Sequence, residues 1–139
     1  MLGFGFNGAG GWNCGVIGSL TVDKYTFKIN ERGKGNIMIG FSTGTKWNSN
    51  GMNYTTNGWF LYANDGKLYG KGLNGRAYTS PIQNGDFISV IRVGSAIRFE
   101  KNKTDLGICK AFTHIPDHPL FPAIDIDDFN TSLTLVNGY

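Results

Sequence analysis

A hairpin signal in the second half of the chain decides the fold class. Residues 87–99 read FISVIRVGSAIRF, so two short, mainly apolar segments flank the pair Gly94-Ser95. A two-residue connection that contains glycine is typical of a tight hairpin turn. The first segment, 87–93, is almost continuously apolar and is predicted to lie centrally, covered on both faces. In the second segment charged and apolar residues alternate, which predicts one face in contact with water.

The same kind of strand recurs between turn signals along the whole chain. Asn-Gly occurs six times, and both residues tolerate the positive φ angles that tight turns require. Together with 87–93, short segments of strand-like composition cover 25–29, 37–41, 59–63, 67–70, 76–79, 96–99, 121–126 and 132–136. No helical period exceeds one turn. This pattern predicts an all-β sandwich or barrel.

Length, composition and charge narrow the class of protein. With 139 residues, 40% of them hydrophobic and 17% charged, the chain fits one folded domain spanning 1–139. A total of 21 glycines beside only two glutamates argues against a helical bundle. There is no apolar run of transmembrane length and no basic leader, so we expect no membrane segment and no signal peptide. Two cysteines, Cys14 and Cys109, read as the thiols of an intracellular, cytoplasmic protein.

Motif matches that suggest catalysis or cofactor binding lack the structural context that such sites need. Residues 40–44 spell G-x-S-x-G, but the Asn- and Gly-rich segment that follows cannot form the helix behind a nucleophilic serine. G-x-G-x-x-G occurs at 3–8 and 70–75 without the strand and helix of a phosphate site. One cysteine and two histidines between positions 109 and 118 are one ligand short of a structural zinc site. We therefore expect no enzyme, no metal and no cofactor.

A polar loop with embedded large side chains is a candidate binding segment. Residues 43–58 are rich in Asn, Gly, Ser and Thr and also contain Trp47, Met52 and Tyr54. Exposed aromatic residues on loops often anchor interfaces. The alternative is that these side chains fold back over the core.

Short pieces of the chain, taken in order, resemble the SPRY domain. They are Gly18-Ser19, 25–29, 37–42, Gly58-Trp59, Gly85-Asp86, 97–99 with Asn102, Leu106-Gly107 with Ala111-Phe112, and 120–123. They span about 12–137, and the resemblance implies a bent, two-sheet antiparallel β-sandwich of the concanavalin-like type. Two departures exist. The segment 92–95 lacks an aspartate common in the family, and the leader is too short for the extra N-terminal half-domain of some relatives.

The resemblance implies protein binding without catalysis. It implies a module whose end loops bind a short peptide or loop of another protein, as an adaptor or substrate receptor in a larger protein, since SPRY domains are often fused to ubiquitin-ligase or scaffold machinery. We expect the domain itself to be monomeric. By position, the partner-binding residues would be Asn7, Trp12, Asn13, Tyr69, Asp127, Asp128 and Phe129, and Tyr54 of the polar loop is added as a further candidate. Trp12, Tyr69 and Phe129 would be the apolar anchors, and the two aspartates would select charge. Alternatively, Trp12 belongs to the core, Tyr69 is an ordinary sheet residue and Asp128 caps a turn.

One other binding function remains as an alternative, and two further classes are disfavoured. A lectin-like domain could stack Trp47, Tyr54 and Trp59 on sugar rings. A glycanase is disfavoured because no strand presents the two facing carboxylates that it needs. Nucleic acid is not expected as a partner, since the net charge of +3 is small and the basic strip 92–110 is typical of a solvated sheet face.

Overall fold

The described part of the chain consists of β-strands, turns and connections. The computed structural model describes residues 2–5, 14–18, 21–43, 58–70, 73–106, 112–117, 119–126 and 130–137. Within these ranges there are twelve strands and no helix, and hence no helix long and apolar enough to cross a membrane. The strands are β1 (Leu2–Gly5), β2 (Cys14–Ile17), β3 (Lys24–Glu31), β4 (Ile37–Ser42), β5 (Gly58–Tyr62), β6 (Lys67–Gly70), β7 (Leu73–Ala77), β8 (Phe87–Val93), β9 (Ala96–Lys101), β10 (Thr104–Asp105), β11 (Phe121–Ile126) and β12 (Ser132–Val136).

These strands form two six-stranded antiparallel sheets. The first sheet has the order β1-β12-β3-β8-β9-β10, and the second has the order β2-β11-β4-β5-β6-β7. The predicted two-sheet antiparallel sandwich is confirmed. The predicted hairpin is also present, because β8 pairs with β9 in register from Ile88↔Lys101 to Val93↔Ala96, with the turn at Gly94-Ser95.

The core lies between the sheets and follows the two-residue period of the strands. On β3, Tyr25, Phe27 and Ile29 are buried in it, and the inward residues of β4 and β5 face them. The predicted central position of β8 is confirmed, because its four residues from Ile88 to Ile91 are all buried. One of them, Ser89, points away from the core. Its hydroxyl lies 2.7 Å from the buried hydroxyl of Thr26 on β3, and this hydrogen bond compensates both groups for the loss of water.

Tyr25 connects the two sheets through its hydroxyl. The residue belongs to β3 in the first sheet, and its hydroxyl donates a hydrogen bond to the carbonyl oxygen of Gly40 on β4 in the second. The Ala123 carbonyl on β11 lies 3.5 Å from the same hydroxyl. The ring packs edge-to-face on Phe41, with ring centroids 5.5 Å apart. Desolvation by burial raises the pKa of this tyrosine well above its usual range, so its hydroxyl stays protonated as a donor.

We expect this buried tyrosine to make the protein sensitive to alkaline pH. The unfolded chain releases the tyrosine proton above about pH 10, whereas the folded protein retains it. The stabilisation is therefore complete below that pH and is lost as the pH rises, at up to about 1.4 kcal/mol per pH unit. Urea unfolding of the wild type and Tyr25→Phe at several alkaline pH values measures this slope. The slope should be shallower in Tyr25→Phe, and identical slopes would contradict the prediction.

Candidate functional site

One end of the sandwich collects six of the connections between strands. Ile126, the last residue of β11, pairs with Cys14 at the start of β2 and with Ile37 at the start of β4. The connections 6–13, 32–36 and 127–131 therefore leave their strands at this end, as do 63–66, 78–86 and 102–103. We call this end, represented by the described residues 32–36, 63–66, 78–86, 102–103 and 130–131, the loop end.

Arg32 ties three connections of the loop end together. Its backbone N–H donates to Oδ1 of Asn84 at 2.8 Å, and its guanidinium donates to the carbonyl of Ile82 at 2.7 Å. Its own carbonyl accepts a hydrogen bond from the buried hydroxyl of Thr131 at 3.3 Å. The connections 32–36, 78–86 and 130–131 are thus joined through one residue, which restricts their relative movement.

A second network fixes the start of β8. One carboxylate oxygen of Asp86 accepts from the N–H of Gln83 at 2.8 Å, and the other accepts from the side-chain amide of Asn102 at 3.0 Å. Oδ1 of Asn102 accepts in turn from the N–H of Phe87 at 2.8 Å. Asp86 and Asn102 are two of the residues on which the SPRY resemblance rested, and the structure gives both a role in holding the loop end.

Beside the loop end, the outward face of the second sheet carries a small aromatic cluster. Tyr62 on β5 and Tyr69 on β6 pack edge-to-face with ring centroids 5.7 Å apart. Both are half-buried, and beneath them lie the fully or nearly fully buried side chains of Met38, Phe60 and Ala123. The two aromatic rings therefore rest on a layer of buried side chains. We call the two tyrosines the tyrosine pair.

Each hydroxyl of the tyrosine pair is fixed by a side chain from a loop-end connection. The Tyr62 hydroxyl donates to Oδ1 of Asn36 at 2.6 Å, and the Tyr69 hydroxyl donates to Oδ2 of Asp65 at 3.0 Å. The other oxygen of Asp65 accepts from the backbone N–H of Lys67 at 2.9 Å. Desolvation, followed by the hydrogen bond and the negative charge of Asp65, raises the pKa of Tyr69. The tyrosine pair is therefore held in fixed orientation by neighbouring turns.

Of the residues predicted to bind a partner, the structure describes only Tyr69. It is a half-buried sheet residue whose hydroxyl is held by Asp65. The others, Asn7, Trp12, Asn13, Tyr54, Asp127, Asp128 and Phe129, lie outside the described residues, so their roles stay predictions.

The strands that flank those segments nevertheless show where each segment begins. The segments 6–13 and 127–129 both leave from the loop end. The segment that contains Tyr54 is flanked by Ser42 and Gly58, which pair with each other at the opposite end of the sandwich. The strand ends that flank two of the three predicted segments thus lie at the end where the tyrosine pair lies.

The structure also corrects one element of the lectin alternative. Trp59 is 3% exposed and packs in the core between the sheets, so it cannot stack on a sugar ring. The reason is its register on β5, where it pairs with Phe41 on one side and Gly70 on the other, with its side chain on the inward face. Among the described residues, no group of three His, Cys, Asp or Glu side chains could hold a metal ion.

Comparison with solved structures decides the fold type. The crystal structure of a human SPRY domain matches 90% of this chain and 84% of its own, with a TM-score of 0.76 and 21% sequence identity. This chain has a SPRY-like fold. The SPRY domain of human HERC1 matches the same share of the chain and 79% of its own, with a TM-score of 0.62 and 21% identity. No family model matches the sequence, and no curated protein matches it. The SPRY-like sandwich expected from short sequence pieces is thus confirmed at the level of fold.

Proposed function

We propose that this SPRY-like domain is a non-catalytic module that binds a short peptide or loop of another protein. The observation that carries the proposal is the tyrosine pair, which is half-buried and whose hydroxyls are fixed by Asn36 and Asp65 from two described connections of the loop end. The SPRY-like fold supports the same function. The domain would act as an adaptor or substrate receptor within a larger intracellular protein, including one associated with a ubiquitin ligase.

The hydrogen bonds of the loop end favour binding by rigid docking. A site whose connections are already held by residues such as Arg32 and Asp86 loses little conformational entropy when a partner binds. Tyrosine suits the role of anchor because it supplies a large contact area with few rotatable bonds. An extended partner segment would place an apolar side chain against the tyrosine pair and use polar groups of the connections to fix its register.

The residues outside the described ranges complete the proposed site. Trp12 and Phe129 would add apolar anchors next to Tyr69, and Asp127 and Asp128 would select the charge of the partner. The side-chain amides of Asn7 and Asn13 would form hydrogen bonds with the backbone of the partner segment. Tyr54 is proposed as an additional contact. We propose that the domain, spanning 1–139, acts as a monomer and uses neither metal nor cofactor.

We expect Tyr69→Ala to weaken partner binding by about 2 kcal/mol or more, which is typical of an interface anchor. The wild type and the variant would be incubated with lysate of the source cell, and captured proteins would be compared by quantitative mass spectrometry. A Trp12→Ala/Tyr69→Ala double variant should lose the same partners more completely. The urea midpoints of all variants must show that they are folded.

Val93→Ala is the matched control for this experiment. Val93 is 58% exposed and lies on the β8–β9 hairpin at the opposite end of the sandwich, so its truncation should leave the captured proteins unchanged. A partner set that is identical for the wild type and Tyr69→Ala would contradict the proposed site. Capture of glycoproteins alone, all released by free sugar, would favour the lectin-like alternative.

A further inference from the structure

Among the described residues, the carboxylate of Asp65 has neutral hydrogen-bond donors and no cationic partner. Its two oxygens accept from the backbone N–H of Lys67 and from the hydroxyl of Tyr69. Within the described part of the chain, no ammonium or guanidinium group forms an ion pair with it, whereas Arg98 contacts both Glu100 and Asp105. Asp65 is half-buried, and each of its oxygens retains a lone pair. A negative charge therefore lies beside the hydroxyl end of the Tyr69 ring.

A glycine on the neighbouring strand leaves space next to that end of the ring. At Gly75 on β7, a Cβ atom would lie 3.5 Å from the Tyr69 hydroxyl oxygen and 3.6 Å from its Cε1. These are ordinary contact distances, so any larger side chain would cover this part of the ring. Because residue 75 is glycine, it places no side chain over this part of the Tyr69 ring.

We propose that the Tyr69 ring and the Asp65 carboxylate together bind a cationic side chain, arginine or lysine, of the partner segment. This inference rests on the proposed function and specifies the chemistry of its partner. A cation over a tyrosine ring is attracted by the negative face of the ring, and a carboxylate near the ring edge can accept charge-assisted hydrogen bonds from the same cation. Arginine fits best, since its planar guanidinium can stack on the ring while its N–H groups point to a carboxylate.

Another aromatic ring of this protein already holds a cation. The Lys28 ammonium nitrogen lies 5.7 Å from the centroid of the Phe87 ring on the outward face of the first sheet. At Tyr69 the ring is accompanied by a carboxylate oxygen 3.0 Å from its hydroxyl. The site at Tyr69 therefore offers a cation the attraction of an aromatic face and that of a full negative charge beside it.

Selection of random peptides tests the inference while the partner is still unidentified. A phage-displayed library of random peptides would be selected on the immobilised wild-type domain, and enriched peptides would be synthesised and titrated. We expect a basic residue at a fixed position of the enriched peptides. Asp65→Asn should weaken their binding about tenfold, because the amide removes the charge but keeps the shape of the side chain, and its oxygen can still accept from the N–H of Lys67 while its NH2 group donates to the Tyr69 hydroxyl.

Asp117→Asn is the matched control, since Asp117 is an exposed aspartate at the opposite end of the sandwich and its neutralisation should leave the affinity unchanged. The basic residue of the peptide would also be changed to alanine, a change that cannot affect folding of the domain. If the cation contacts Asp65, the losses from the two changes should be smaller together than their sum, and additive losses would overturn the inference.

The outcomes separate this inference from the proposed function. Peptides that lack a basic residue, or that bind Asp65→Asn as tightly as the wild type, overturn the cation site. If those peptides still lose affinity for Tyr69→Ala, the proposed function stands. Peptides that are indifferent to Tyr69→Ala, or failure to enrich any peptide, would count against both.

Discussion

Gly40→Ala should lower the free energy of unfolding by about 3 kcal/mol or more, because the position has no room for a side chain. A Cβ atom there would lie 1.8 Å from the carbonyl oxygen of Trp59 and 2.9 Å from the Cα of Phe60 on the adjacent strand β5. These are backbone atoms of a central strand pair and cannot move aside without disturbing the sheet. The same residue accepts the hydrogen bond from Tyr25, so a shift of β4 also weakens the link between the sheets.

Urea unfolding followed by tryptophan fluorescence measures this effect, and Gly18→Ala provides the control. At Gly18 the atoms nearest to a Cβ belong to the ring of Pro122, at 3.1 and 3.2 Å, so this ring would have to yield by only a few tenths of an ångström. We expect Gly18→Ala to cost less than about 1 kcal/mol. Similar losses for the two variants would mean that β4 and β5 can separate at Gly40, contrary to this structure.

The strands that could be predicted from the sequence are those whose alternating or apolar pattern lies within one short segment next to a turn. The hairpin of β8 and β9 was predictable because two alternating or apolar segments flank a short glycine turn. The strands β1 and β2 were not predicted, because their sequences are rich in glycine and their partners are distant. Leu2 on β1 pairs with Leu135, and Cys14 on β2 pairs with Ile126. Distance alone is not the reason, because β3 and β12 also pair over more than 100 residues and both were predicted. In the four-residue strands β1 and β2, glycines leave too few side chains to show a two-residue period.

Continuous apolar segments also hide which face a side chain occupies. Trp59 was a candidate for sugar stacking, but residues 59–62 are all aromatic or aliphatic, so alternation could not assign its face. The structure places Trp59 and Leu61 in the core and Phe60 and Tyr62 on the outward side. The outward side of the second sheet is also apolar here, because Met38, Phe60 and Ala123 lie on it beneath the tyrosine pair.

The candidate site was predictable only in part, for a related reason. Tyr69 was selected by its position in the SPRY resemblance, whereas Asp65 was visible only as part of a turn signal, Asn64-Asp65-Gly66. Its hydrogen bond to the Tyr69 hydroxyl joins the turn between β5 and β6 to the outward face of β6, and composition alone cannot show which face of the strand Tyr69 occupies. The contact between Tyr62 and Asn36 joins residues that the fold alone brings together.

The turn that holds Asp65 is also the place where one methyl group should affect stability and binding at once. Gly66 has a φ angle of 71°, and a Cβ atom there would lie 2.0 Å from the carbonyl oxygen of Thr79 and 2.7 Å from its carbonyl carbon. Gly66→Ala therefore combines a strained left-handed backbone with a clash against the backbone of the next connection. We expect it to lower the free energy of unfolding by about 3 kcal/mol and to weaken peptide binding at least about tenfold.

The comparison that isolates the clash is Gly85→Ala, at a glycine of the same loop end. Its φ angle of 86° imposes similar strain, but no atom lies within 4 Å of a Cβ at this position. Gly85→Ala should therefore cost only about 1 kcal/mol and leave peptide affinity unchanged. Urea unfolding and peptide titration of both variants provide the test. If Gly66→Ala lost stability but kept full affinity, the position of the 63–66 turn would not control the site. If both variants lost affinity equally, binding would depend on the loop end in general and not on Asp65 and Tyr69.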